Sequence, residues 1–119
     1  TQRIMAACWA HPDLVAGAGR LDTDVMRTAP RRAFIKVGAE GVYCGACPSA
    51  GFALALKIDD GAGRAAEAAV MELCTSMVPE LAPLQAERSL LRNWAGDVVG
   101  RFFPTPILAE IGAKLKRNG

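Results

Sequence analysis

The feature that most constrains this sequence is the apolar run at residues 52–58, which reads FALALKI and contains one charged side chain. A short apolar run bounded by turn residues is typical of a buried β-strand. Residues 48–51 (PSAG) precede the run and residues 59–63 (DDGAG) follow it. Because almost no side chain in the run suits water, we expect both faces of its sheet to be covered, by helices or by missing polypeptide.

Two more strands are predicted before this run. Residues 33–37 and 42–47 are short and mostly apolar, and residues 38–41 between them form a tight connection with two glycines. Residues 48–51 have Pro and Gly at positions that favour a four-residue turn. The three strands therefore predict an antiparallel meander.

Helical patterns flank the meander. The strongest covers residues 64–78, where apolar side chains recur on one face before Pro79 ends the helix. Residues 3–10 are typical of the end of another helix, and Asp22 or Thr23 is suited to cap a short third one.

A further strand is predicted at residues 97–102, after a turn at 93–96. The order of elements predicts an α+β fold in which an antiparallel sheet, a three-strand meander plus a further strand, packs against helices.

Composition excludes several classes of protein. The 119 residues carry a net charge of +2, and the longest basic group is the short terminal one that ends at Arg117. This balance gives no reason to expect nucleic acid or an anionic membrane as a partner. Hydrophobic residues make up 51% of the chain, which suffices for a core.

The cysteines indicate a cellular compartment, and the first residues indicate how the chain arose. Cys8 and Cys74 lie among apolar residues on predicted helices, where a free thiol behaves as a small hydrophobe. We therefore expect reduced thiols and a cytoplasmic protein. The chain opens with Thr1 directly in a helical pattern, and we expect it to be a fragment, a processed product or an incomplete chain.

Four segments in order resemble one family. They read HPDLVAGAGR at 11–20, KVGAEGV at 36–42, ALKIDDGAGRAA at 55–66 and RNWAG at 92–96. Each is weak alone, but the ordered set is similar to the asparaginase II family, the Rhizobium-type asparaginases. The resemblance covers residues 1–102 as the C-terminal portion of such a domain, and residues 103–119 form a tail with room for a short helix.

The resemblance implies a serine β-lactamase/glutaminase-like fold and hydrolysis of the L-asparagine side-chain amide to aspartate and ammonia through a serine ester. The Ser-x-x-Lys nucleophile motif of this superfamily is absent here. Ser49, Ser76 and Ser89 are followed three residues later by Phe, Pro and Arg. The family's metal site also lies in an earlier region, so we expect no metal or other cofactor in this chain.

Lys36 and Gly38 match the Lys-x-Gly motif of the superfamily. The resemblance implies a catalytic Lys36, whose ammonium in a cleft binds a substrate carboxylate or stabilises charge during acyl transfer. Gly38 then lets backbone approach the substrate. The alternative is a strand lysine that points to solvent.

Glu40 and Arg20 complete the expected substrate-binding set. Glu40 is suited to bind the substrate α-ammonium group, and its alternative is a solvated turn carboxylate. Arg20 follows two glycines in a loop and lies at the rim of the site, or pairs structurally with Asp22 or Asp24.

Three other motifs favour structural roles. Asp60, next to Asp59, is suited to cap the helix that follows. Cys44 and Cys47 have metal-ligand spacing, but on a strand they face opposite sides of the sheet. His11 has no histidine or serine partner that would indicate a catalytic triad.

Two alternatives to an L-asparaginase-type enzyme stay open. One is a non-catalytic remnant or association module, and the other is a related glutaminase, which differs in its substrate by about one methylene. The expected partners are L-asparagine and either the N-terminal part of the same enzyme or a second copy in a homo-oligomer.

Overall fold

The computed structural model describes residues 1–118 and contains six α-helices in this range. Two short 3₁₀ turns cover Pro48–Ala50 and Pro79–Leu81. The helices are α1 (Gln2–Ala10), α2 (Pro12–Ala16), α3 (Leu21–Thr28), α4 (Gly63–Met77), α5 (Ala82–Arg88) and α6 (Pro106–Asn118). The strands are β1 (Phe34–Gly38), β2 (Val42–Cys47), β3 (Phe52–Lys57), β4 (Leu90–Arg92) and β5 (Val98–Arg101).

The predicted α+β fold is confirmed. Strands β1, β2 and β3 form an antiparallel meander in that order, with Lys36 opposite Cys44 and Tyr43 opposite Leu56. The further strand, β5, does not join the meander but pairs with β4 in a separate two-stranded sheet. The turn between them is fixed by Asn93, whose side-chain oxygen accepts the Asp97 N–H at 2.9 Å.

One face of the meander packs on α4, with α3 beside the edge strand β1. Alternation along each strand places one set of side chains in this core, because successive residues of a strand face opposite sides. The fully buried residues of the core cluster include Ile35 and Tyr43 from the sheet, Val25 from α3, and Val70 and Cys74 from α4.

The other face of the meander is open among the described residues. Cys44, Ala53, Ala55 and Lys57 are exposed on it, and Lys36 is half-buried there. The expectation that both faces of the sheet are covered therefore holds for one face within residues 1–118. We call the uncovered side the open face.

Two short helices occur where prolines indicated breaks. Pro12 begins α2 and Pro83 lies in the first turn of α5. Backbone N–H groups in the first turn have no partner within the helix, so a proline there costs no hydrogen bond. The segment after Pro79 is therefore helical as far as Arg88.

The C-terminal tail forms helix α6, which packs along α4. Gly112 is buried in this contact, and a Cβ there would lie 2.3 Å from the Ser76 side-chain oxygen. The close approach of the two helices depends on this glycine. No helix within residues 1–118 is long and apolar enough to cross a membrane.

Candidate functional site

Lys36 lies in the middle of β1, and its side chain belongs to the open-face set. The ammonium group donates to the carbonyl oxygen of Val37 at 3.0 Å, and 40% of the side chain is exposed. The nitrogen also lies 3.9 Å from Oδ1 of Asp22. Lys36 is thus neither fully solvated nor buried, and its charge is held over the free edge of β1.

Asp22 is a fully buried carboxylate in the first turn of α3. Its Oδ1 accepts the backbone N–H of Val37 at 2.7 Å, and its Oδ2 accepts the hydroxyl of Tyr43 at 3.4 Å. The prediction that Asp22 or Thr23 caps α3 is wrong, because the cap position is Arg20 and no side chain caps the helix. The Thr23 hydroxyl instead donates to the Gly17 carbonyl at 2.6 Å.

Tyr43 supplies the second hydrogen-bond donor to this carboxylate from strand β2. Burial raises the pKa of the Tyr43 hydroxyl well above its usual value, and the negative charges of Asp22 and Glu67 add to the effect. The positive charge of Arg20 lowers the pKa and opposes these causes. Tyr43 therefore remains a neutral donor to Asp22 at any ordinary pH.

Arg20 occupies the position before α3 and is exposed. Among the ion pairs within residues 1–118, Arg20 does not pair with Asp22 or Asp24, which was the structural alternative for this residue. Asp24 pairs with Arg88, and Asp22 binds Val37 and Tyr43. Arg20 directly precedes the helix that carries Asp22, and its positive charge lowers the pKa of Tyr43.

Gly38 ends β1 opposite Val42. A Cβ at Gly38 would lie 3.0 Å from a Val42 methyl carbon, so any side chain there would crowd the start of β2. Gly38 is exposed, and the backbone around it is open to approach.

Glu40 lies in the turn after β1, with a positive φ of 60°. Such a left-handed backbone is uncommon for a residue with a side chain. One Glu40 carboxylate oxygen would lie 3.1 Å from a Cβ at Gly61, so the side chain is directed toward the loop before α4. The hydrogen bonds and ion pairs within residues 1–118 do not join Glu40 to Lys36.

The three serines lie apart from this group. Ser49 is exposed in the turn between β2 and β3, and Ser76 donates to the Glu72 carbonyl within α4. Ser89 ends α5 and donates to the Ala86 carbonyl at 2.7 Å. The hydroxyl groups of Ser76 and Ser89 thus donate hydrogen bonds within their own helices, which is a structural role.

The other motifs have structural positions. Asp60 does not cap α4 as predicted, because the cap position is Ala62; the Asp60 carboxylate accepts the Ala62 N–H at 2.9 Å and shapes the turn before the helix. Cys44 is exposed whereas Cys47 is buried, as opposite faces of a strand require. His11 lies exposed between α1 and α2.

Within residues 1–118, no group of three His, Cys, Asp or Glu side chains is arranged to hold a metal ion. A hydrogen bond with Cys47 raises the pKa of the Cys74 thiol, and burial in the core adds to the effect, so that Cys74 stays a protonated thiol rather than a metal-binding thiolate.

A pocket of about 250 Å³ lies elsewhere, between α4, α5 and the segment after β5. Met71, Gln85 and Phe102 line it, and Lys36 does not. The polar groups that surround Lys36 thus lie on an open sheet edge rather than in this pocket.

Asp22 and Tyr43 were missed by reasoning from the sequence. The period-two alternation of β2, which places Tyr43 on the same face as Cys47, was a usable signal for its burial. Asp22 gave no such signal, because an acidic residue in the first turn of a helix is ordinarily exposed.

The arrangement is chemically simple. One ammonium group lies half-exposed at a strand edge, close to a buried carboxylate that neutral donors hold in place. Such a group is suited to bind or stabilise a negatively charged oxygen.

Comparison with models of protein families gives a match. The family model described as L-asparaginase II matches residues 1–104, and the match includes β1 with Lys36 and every strand of the meander. No curated protein matches the chain. Helix α6 lies beyond the matched range. Because the match spans most of the chain, the protein belongs to the L-asparaginase II family.

Proposed function

We propose that this chain is part of an amidohydrolase that converts L-asparagine to L-aspartate and ammonia. The observation that carries the proposal is the family match over residues 1–104, within which Lys36 presents its ammonium group at the edge of the sheet. The family supports an asparaginase-type activity, and the substrate itself is part of the proposal.

The proposed chemistry is acyl transfer. A serine hydroxyl attacks the side-chain amide carbon of the substrate, and its proton passes to the amide nitrogen, which leaves as ammonia. Water then hydrolyses the ester, which releases aspartate and restores the serine hydroxyl. Lys36 acts in this scheme as a positive charge beside the reacting centre, where it stabilises the oxygen that becomes negative in the tetrahedral intermediate.

The substrate-binding roles follow from charge. Glu40 binds the α-ammonium group of the substrate, Arg20 lies at the rim and attracts its α-carboxylate, and Gly38 lets the substrate approach the backbone. The exposure of all three is consistent with these roles.

The nucleophile in this proposal comes from other polypeptide. No serine of the chain is followed by lysine three residues later. The open face of the meander carries small side chains such as Ala53 and Ala55, which allow another segment to approach closely. We propose that the N-terminal part of the same enzyme, or a second copy, covers this face and brings the serine to Lys36.

The compartment proposed for this enzyme is the cytoplasm. Cys8, Cys44, Cys47 and Cys74 are all free thiols, although Cys47 and Cys74 share the core. Reduced thiols of this kind are usual where glutathione and thioredoxin keep cysteines reduced.

The test is ammonia release from L-asparagine, measured for this chain alone and after addition of the polypeptide encoded immediately upstream. We expect release only with the added polypeptide. L-Glutamine in place of L-asparagine separates the asparaginase from the glutaminase. Release by the chain alone contradicts the proposed origin of the nucleophile.

The open face also favours a second candidate, a non-catalytic association module. Exposed Val98 and Val99 on the β4–β5 hairpin add apolar surface to that of the open face. Absence of amide hydrolysis in both assays, together with concentration-dependent association in light scattering, favours this second candidate. A monomer at high concentration counts against it.

A further inference from the structure

Asp22 is an unusual residue for the place it occupies. Its side chain is fully buried between α3 and the sheet edge. A buried carboxylate is costly to the fold unless hydrogen bonds or a positive charge compensate it. The contacts that compensate Asp22 therefore indicate why the fold keeps a charge there.

The first contact is with the backbone of the strand that carries Lys36. The Val37 N–H donates to Asp22 Oδ1 at 2.7 Å, on the edge of β1 that has no strand partner. Val37 directly follows Lys36, and the Lys36 ammonium donates to the Val37 carbonyl at 3.0 Å. Asp22 thus holds the N–H of the same residue whose carbonyl accepts the Lys36 ammonium group.

The second contact is with the ammonium group itself. Oδ1, the oxygen that accepts from Val37, lies 3.9 Å from the Lys36 nitrogen. Lys36 supplies this contact from the half-exposed side, so its charge remains available to a ligand while the carboxylate stays out of water.

Tyr43 holds the other oxygen of Asp22. Its hydroxyl donates to Oδ2 at 3.4 Å from strand β2. With Oδ1 bound to Val37 and Oδ2 to Tyr43, the carboxylate is oriented from two strands, and its position does not depend on Lys36.

We infer that Asp22 is a positioning residue for Lys36: its carboxylate, held by Val37 and Tyr43, fixes the lysine ammonium over the edge of β1. The inference deepens the proposed function, on which the catalytic meaning of Lys36 rests. The geometric part, that Asp22 orders Lys36, stands independently of any activity.

A purely structural role for Asp22 makes a different prediction. A carboxylate needed only to accept the Val37 N–H is replaced without effect on Lys36 by an amide, because the amide oxygen accepts the same hydrogen bond. Asp22→Asn keeps the size and the acceptor and removes the charge. Asp24→Asn is the matched control, since Asp24 lies on the same helix and pairs with Arg88.

The experiment measures NMR relaxation of the lysine Cε carbons in the full chain. The chain has four lysines, Lys36, Lys57, Lys114 and Lys116, so each signal is assignable. In Asp22→Asn we expect the order parameter of Lys36 to fall by roughly a factor of two, with the other three unchanged. Asp24→Asn leaves all four unchanged. A folded Asp22→Asn variant with an unchanged Lys36 signal overturns the inference.

A second measurement does not require Asp22→Asn to fold. Lys36→Met removes the ammonium beside Asp22, whereas Lys57→Met removes a lysine that also donates to the carbonyl of the next residue but has no carboxylate partner among the described ion pairs. We expect the urea midpoint to fall further for Lys36→Met, by an amount that high salt reduces. Equal midpoints for the two variants overturn the inference.

Kinetics in the catalytically complete enzyme separate this inference from the proposed function. Asp22→Asn is expected to lower kcat at least tenfold and to change KM less than threefold, of the order found when a charge-stabilising group is displaced. A purely structural loss lowers the folded fraction and leaves kcat per folded molecule unchanged. If Lys36 loses order in Asp22→Asn but no amide is hydrolysed, the positioning role stands and the proposed function fails.

Discussion

At the scale of single residues, the hairpin between β1 and β2 depends on the backbone of Gly41. This residue has a φ of 70°, and a Cβ there would lie 2.9 Å from the Gly61 carbonyl carbon. The Ile58 N–H also donates to the Gly41 carbonyl at 3.0 Å, which joins the hairpin to the end of β3. The turn carrying Glu40 and the loop before α4 are therefore in direct backbone contact.

Gly41→Ala is expected to cost more stability than Gly51→Ala. Both glycines have left-handed backbones, for which an alanine pays about 1–2 kcal/mol. Gly51 has nothing within 4 Å of an added Cβ, whereas Gly41 meets the backbone of Gly61. Chemical denaturation of the two variants measures the difference in free energy of unfolding. Equal losses contradict the close approach at Gly41.

Tyr43 predicts a loss of stability at high pH. Its pKa is raised in the folded chain, mainly by burial, so the folded state keeps the hydroxyl proton that the unfolded chain loses near pH 10. This contribution is complete below about pH 10 and declines above it, by about 1.4 kcal/mol per pH unit.

The check compares the wild-type chain with Tyr43→Phe between about pH 9 and pH 11. Tyr43→Phe is less stable at neutral pH, because a hydrogen bond to Asp22 is lost. The stability of the phenylalanine variant is expected to fall less steeply with pH. Parallel curves for the two proteins exclude a raised pKa for Tyr43.

The backbone positions of the candidate site residues were predictable at this scale, but the buried contacts around them were not. The position of Lys36 on a strand and of Gly38 at its end follow from local sequence pattern. The burial of Asp22 depends on the docking of α3 against β1, a long-range contact with the Val37 N–H that no local pattern contains. The caps predicted at Asp22 and Asp60 were wrong. The Asp22 carboxylate binds the Val37 N–H on β1, and the Asp60 carboxylate binds the N–H of Ala62, which itself occupies the cap position of α4.

At the scale of elements, α6 extends the fold beyond the family match. Its Gly112 lies against Ser76 of α4, and a Cβ at Gly112 would lie within 3 Å of two Ser76 atoms. Apolar Leu108 from the same helix is half-buried. Helix α6 therefore stabilises α4 on the side away from the sheet.

Gly112→Ala is expected to destabilise the chain, although alanine favours helices more than glycine does. The added methyl group separates α6 from α4, and we expect a loss of about 1–3 kcal/mol. Gly63→Ala is the control, since Gly63 begins α4 with nothing within 4 Å of an added Cβ. Thermal unfolding is expected to show a lower Tm for Gly112→Ala and an equal or higher one for Gly63→Ala; the reverse order contradicts this account of the packing.

Some helices and strands were predicted from the sequence more closely than others. The meander and α4 were predicted closely because strand alternation and helical periodicity are local signals. The β4 strand and α5 were not, since Leu90–Arg92 is only three residues long and α5 starts beside Pro83. The pairing of β5 with β4 rather than with the meander is a tertiary choice that the strand pattern does not contain.

At the scale of the whole molecule, residues 1–118 form a hydrophobic core on one face of the meander and leave its other face uncovered. Helix α4 covers one side of the meander, and the open face presents Lys36 beside exposed small residues such as Ala55. A site at this edge is incomplete without a nucleophile, which is why the proposed enzyme requires additional polypeptide.

The accessibility of the cysteine thiols tests this arrangement of core and open face. Cys44 is exposed on the open face, whereas Cys47 and Cys74 are buried between the sheet and α4. We expect iodoacetamide to modify Cys44 rapidly in the folded chain and to leave Cys47 and Cys74 unmodified until denaturant is added. Addition of the upstream polypeptide is expected to protect Cys44 as well. Mass spectrometry identifies the modified residues, and rapid modification of Cys74 contradicts the described core.

The most direct test of the central claim compares Lys36→Met with Lys57→Met in the enzyme assembled with its upstream polypeptide. Both lysines belong to the open face, and each donates to the carbonyl of the next residue. With L-asparagine as substrate, Lys36→Met is expected to lower kcat/KM by at least about 100-fold and Lys57→Met by less than about threefold. Wild-type activity in Lys36→Met would contradict the assignment of Lys36 to the amide-hydrolysing site.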